Sequence, residues 1–221
     1  MSAGQEDQPP RNIQEIFSQP TIVVKVGPNE EEFYIHKALV MKHSRYFRKE
    51  LANDNFTKGK EGVVTLPDIE PWVFKIFIQW LYYQKLSPFE DWEDVYGFDT
   101  FYSPSLIVSM MYVFADRFLV PNLRDIMVNV AVEEVFSFSE PMEEAITYAF
   151  QNLPLNSTYL QLLVDSWCKH WTAYGMEDDD WSKLPVPGNF LRMVLQKYCL
   201  GRTVGQEKVV LNTSDYMEPK E

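Results

Sequence analysis

Between Thr21 and Tyr83 the chain switches repeatedly between the period of strands and the period of helices. Thr21-Ile-Val-Val-Lys-Val-Gly27 reads as a strand ending in a Gly-Pro-Asn turn, with Glu32–Ile35 as its short return partner. His36 opens a helical segment to Leu51 in which Leu39, Val40, Tyr46, Phe47 and Leu51 fall mostly at helical spacing. Gly62–Leu66 supplies a third strand. The run Pro67-Asp-Ile-Glu-Pro71 then punctuates the chain before a second helix carrying Trp72, Phe74, Phe77, Trp80, Leu81 and Tyr83. Hairpin, helix, strand, helix is an α+β order, a small sheet flanked by helices. The strand Ile22–Val26 is apolar at nearly every position, which predicts cover on both faces, with Lys25 snorkelling or near an edge.

The residues of this stretch resemble the BTB/POZ domain family. The likeness runs through Phe33, Ile35, His36, Lys37, Leu39 and Val40, then Ser44-Arg-Tyr-Phe47, Val64-Thr-Leu-Pro-Asp68, and Phe74 onward to Trp80-Leu-Tyr82. Tyr112–Leu123 resembles the closing helical pair of the same family. The likeness covers about residues 20–136, and its spacing and composition look most like fungal members. It implies a BTB/POZ fold over 20–136, interrupted by an insertion at 84–104. A partly disordered lead (1–19) precedes it, and a helical extension (137–201) and a disordered tail (202–221) follow. The implied function is non-enzymatic: self-association, most simply as a homodimer, and recruitment of other proteins.

Two departures from the family pattern bear on the partner. Members that recruit co-repressors usually carry Asp where Thr21 stands, paired with a basic residue aligned with Lys37, so that role is weakened here. Members that dock on a cullin scaffold commonly show a hydrophobic-x-Glu triplet where this chain has Phe56-Thr57-Lys58. The anchor is kept and the acid becomes a base, which opposes a surface selected to meet a carboxylate. A substrate adaptor for a cullin-type ubiquitin ligase therefore stands as the alternative, with Phe56 and Lys58 as its candidate residues.

For self-association the resemblance points to the N-terminal segment, Ile13, Ile16 and Phe17, together with Leu39, Lys42 and His43 of the first helix, faces that bury apolar area across a two-fold axis. Ile13 and Phe17 can equally cover their own domain. The insertion interleaves the acids Glu90, Asp91, Glu93, Asp94 and Asp99 with Phe89, Trp92, Tyr96 and Phe98. Rings supply contact area and acids set the sign of a partner, so this is either a binding loop or a loop folding its rings back onto its own domain.

Charge narrows the remaining classes. A net charge of −12 with no basic stripe repels phosphate backbones, so no direct nucleic-acid contact is expected. Cys168 and Cys199 form no CxxC pair, which leaves no disulfide framework or zinc finger. No membrane span or signal peptide is legible, and an intracellular, cytoplasmic or nuclear location is expected. His36 and His43 are separated by ~10 Å of helical rise against metal–nitrogen bonds of ~2 Å. Cys168 and His170 diverge by ~200° around a helix. No phosphate loop, nucleophile elbow or zincin motif occurs, so neither catalysis nor a cofactor or metal is expected. The run Glu177–Asp180 reads as a solvated loop.

The remainder reads as helix. Met110 and Met111 are expected as core filler. Glu140–Leu153 forms one helix, Ser157 caps another, and Asn189 caps a last one stopped by Gly201.

Overall fold

The computed structural model describes residues 18, 20–52, 63–97, 102–137, 142–170, 185–204 and 211–218, the side chains of 200–204 excepted. Two compact units form: Met1–Phe98 with Arg117–Val120, and Asp99–Asp116 with Pro121–Glu221.

In the first unit, β1 (Thr21–Val26), β2 (Glu31–His36) and β3 (Val63–Leu66) make one sheet in the order β2-β1-β3. β1 and β2 are antiparallel, from Thr21 opposite His36 to Val26 opposite Glu31, and β3 lies parallel to β1. The turn between β1 and β2 depends on Gly27. Its φ is +76°, its N–H donates to the Leu66 carbonyl at 2.9 Å, and an added Cβ would lie 3.2 Å from Pro71 Cγ.

Burial along β1 alternates, so the expectation of cover on both faces is corrected. Ile22, Val24 and Val26 are buried, whereas Val23 and Lys25 are only half-buried. Aromatic helix residues pack on the first face, as in the edge contact of Phe33 with Phe74 at 5.2 Å. The other face carries Lys25, whose ammonium meets Glu30 at 2.9 Å and Glu32 at 3.7 Å, and exposed Tyr34. The β-branched composition of β1 suits the pleat whether or not both sides are covered.

The segment after β2 is two helices, not one: α1 (Lys37–His43) and α2 (Arg45–Ala52). Ser44 between them is extended and fully buried. Its hydroxyl donates to the Phe118 carbonyl at 2.6 Å and accepts the Phe47 N–H at 3.1 Å, the bond of an N-cap to the third residue of its helix. A capping residue thus restarts the chain where the apolar spacing alone read as continuous. Helix α3 (Pro71–Tyr83) opens on proline, which fits the first turn because its missing N–H would have had no partner. It buries Trp72, Phe74, Phe77, Trp80 and Leu81 and ends at Gln84 in the left-handed region, whose N–H returns to the Trp80 carbonyl. Phe47 stacks between Phe77 (6.4 Å) and Phe118 (5.7 Å), a ring-lined core.

After a short helix α4 (Trp92–Tyr96), the second unit is helical: α5 (Pro104–Arg117), α6 (Pro121–Val130) running into a π-turn (Ala131–Val135), α7 (Glu143–Asn152), α8 (Thr158–His170) and α9 (Gly188–Val204). Tyr112 of α5 stacks on Tyr159 of α8 at 4.0 Å, and Ile146, Val164, Trp167 and Phe190 form a second cluster. Met111 is buried in α5, while Met110 beside it is only half-buried. Ser157 caps α8 through the Tyr159 N–H at 3.3 Å. Asn189 lies inside α9 rather than capping it, and α9 continues through Gly201 to Val204. One glycine costs a helix about 1 kcal/mol, too little to end one of 17 residues. Among the described residues no helix is long and apolar enough to cross a membrane.

Candidate interaction surfaces

Helix α1 presents a polar end. Lys42 and His43 occupy its last turn, where positive charge favours the carbonyl end of the dipole, and Arg48 of α2 reaches back to cap the Met41 and Lys42 carbonyls at 3.0 and 3.1 Å. Of the three residues expected there at an interface, Lys42 is exposed and His43 half-buried. Leu39 is a core residue, and the expectation of it as a contact is corrected: it takes one of the two fully inward positions of this short helix. The His43 ring stands edge-on to Trp80 at 5.4 Å. Burial, and then the neighbouring Lys42 charge, press its pKa down to about 4, so it is neutral at physiological pH. His36, at the start of α1, meets Tyr82. Its Nδ1 lies 2.8 Å from the Tyr82 hydroxyl, which also accepts the His36 N–H at 3.2 Å.

Among the described residues of the insertion, two rings fold inward. Trp92 and Tyr96, a turn apart on α4, are buried to 1% and 4% exposure, which removes both from the candidate contact surface. Trp92 Nε1 donates to the Ser87 carbonyl at 3.0 Å and the Tyr96 hydroxyl donates to Gln79, so each ring's polar atom is satisfied as it is buried. Phe89 is half-buried, 5.0 Å from Trp92. Glu90, Asp91, Glu93 and Asp94 face solvent with Val95. The exposed side of α4 is thus acidic. Ile13, Ile16, Phe17, Phe56, Lys58 and Phe98 lie outside the described residues, as do Trp171 and the Glu177–Asp180 run.

A cluster that no sequence motif marks lies in the second unit. Asp165 of α8 is buried, its Oδ1 accepting Gln161 Nε2 and Lys197 Nζ, each at 2.6 Å. Its Oδ2 accepts the Tyr216 hydroxyl at 2.9 Å. The stretch from Arg202 onward, read as a disordered tail, therefore needs correcting over Leu211–Glu218. A 3₁₀ turn (Thr213–Tyr216) lies against α8 with Tyr216 3% exposed. The signals available were an acid inside the apolar run Leu162–Trp167 and a lone aromatic in a polar tail. Neither names the other.

Cys168 and His170 of α8 sit in structural surroundings. Burial, and then the nearby Asp165 charge, push the Cys168 thiol up to about 11, far from a reactive thiolate. His170 Nε2 donates to the Phe136 carbonyl at 2.6 Å. No group of three His, Cys, Asp or Glu among the described residues can hold a metal ion.

A small three-stranded sheet packed by aromatic helices, followed by further helices, makes an α+β architecture. The BTB/POZ domain model matches residues 12–131, more than half of the chain, and the chain belongs to the BTB/POZ family. That family mediates contacts between proteins and is generally non-enzymatic. No curated protein matches the chain.

Proposed function

We propose that this chain acts without catalysis, self-associating as a homodimer through its BTB/POZ domain and recruiting other proteins through its remaining surface. The observation that carries the reading is the family match over residues 12–131. In support, α1 offers exposed Lys42 and half-buried His43 at one end, and Ile13, Ile16 and Phe17 precede β1 at apolar positions. The domain is taken as 20–136 and the helical extension as 137–201. Chemical cross-linking of the full chain at rising concentration tests this: a covalent dimer that Phe17→Asp abolishes is expected, and absence of any dimer together with no captured protein partner contradicts it.

The retained Phe56 anchor keeps a second reading in view, the substrate adaptor of a cullin-type ubiquitin ligase. There Lys58 opposes docking, so titration with a cullin scaffold should show binding only after Lys58→Glu. Equal absence of binding by both forms removes this reading.

A further inference from the structure

Leu211–Glu218 has the features of a bound peptide. Its anchor, Tyr216, is buried, and its hydroxyl supplies the proton that Asp165 Oδ2 receives at 2.9 Å, while Oδ1 is already satisfied by Gln161 and Lys197 of the unit's own helices. The Thr158 hydroxyl, at the first turn of α8, donates to the Tyr216 carbonyl at 2.8 Å and toward the Glu218 carboxylate at 3.3 Å. α6 and α8 flank the segment. Beside it the buried Tyr112 hydroxyl faces Ser157 and Thr158. The arrangement reads out three features of an extended peptide: a phenol, the carbonyl of the same residue, and a carboxylate two residues on. A buried carboxylate oxygen deprived of its donor is costly, so the cleft selects tyrosine over phenylalanine.

We propose that Leu211–Glu218 is a displaceable internal ligand, and that the cleft between α6 and α8 is a docking site for a partner segment bearing Tyr-x-Glu, held closed by the chain's own copy. The site lies within the second unit and does not depend on self-association. Tethering gives the internal copy an effective concentration on the order of millimolar, so a free peptide competes poorly until the copy is weakened.

The test uses the full chain and a fluorescent peptide of the sequence Asn212–Glu221, followed by anisotropy. Tyr216→Ala, which weakens the internal copy and leaves the cleft intact, should bind the peptide at least about tenfold more tightly than the unaltered chain, and a peptide with phenylalanine for tyrosine should lose about tenfold. Tyr216→Ala that keeps its helical circular dichroism yet binds no better than the unaltered chain overturns the proposal, as does equal binding of the two peptides. A second measurement stands independently of that variant. Saturating unaltered chain with unlabelled peptide should raise hydrogen exchange in its own residues 211–218, and unchanged exchange contradicts displacement. A dimer of the unaltered chain that Tyr216→Ala dissolves would assign the cleft to a second copy, against a partner peptide.

Discussion

His43 carries its ring edge against Trp80 and beside the charge of Lys42, so protonating it in the folded chain opposes both burial and a like charge. Its pKa falls from 6.5 to about 4. Between those values the unfolded chain takes up a proton that the folded chain refuses. Stability from this residue is therefore full above 6.5, is lost as pH falls toward 4, and changes no further below that. Its partial exposure reduces the effect to roughly 1–2 kcal/mol. Urea melts of the unaltered chain and of His43→Gln should diverge in slope across that window, and parallel curves would contradict the assignment. Ser44→Ala removes an N-cap and the hydroxyl's bond to the Phe118 carbonyl, so a loss of about 1–3 kcal/mol is expected by the same melts. Sequence spacing placed both residues on a helix. It could not assign His36 to Tyr82 or Asp165 to Tyr216, because those partners lie 46 and 51 residues apart and meet only in the folded chain.

The insertion shows what an element's pattern does and does not reveal. Acids alternating with rings fit a binding loop and a small amphipathic helix equally well, and burial decides between them. With Trp92 and Tyr96 a turn apart, α4 docks both rings onto its own unit and leaves its acids outside. Trp92→Ala should cost about 3–5 kcal/mol in a denaturant melt. Glu93→Gln, on the exposed side, should stay within about 0.5 kcal/mol. A small loss at Trp92 with weakened partner capture would instead return that ring to the surface. Gly27 is a sharper case, since its left-handed backbone was implicit in the Gly-Pro-Asn turn but its closeness to Pro71 was not. Gly27→Ala should destabilise by about 1 kcal/mol or more. The hairpin, the third strand and the helix start at Pro71 were legible because turn chemistry and period agree there. The division at Ser44 and the run of α9 past Gly201 were not, because a cap and a single glycine shift the balance by only about 1 kcal/mol each.

The whole chain is strongly acidic, with a net charge of −12, so two copies repel at long range and short-range contact must outweigh that repulsion. Added salt should therefore tighten a dimer rather than loosen it, the opposite of an interface built on ion pairs. The resemblance to the BTB/POZ family was legible because the residues that carry it, from Phe33–Val40 through Ser44–Phe47 and Val64–Asp68 to Phe74–Tyr82, stand in the family's order in the sequence. The cleft of the second unit was hidden, because it joins α8 to the chain's far end. The most direct test of the account is light scattering after size exclusion, over a concentration series of the full chain. The account predicts a mass of twice the chain's 26.0 kDa, persisting on dilution and favoured by salt. A mass of 26.0 kDa at every concentration would contradict it.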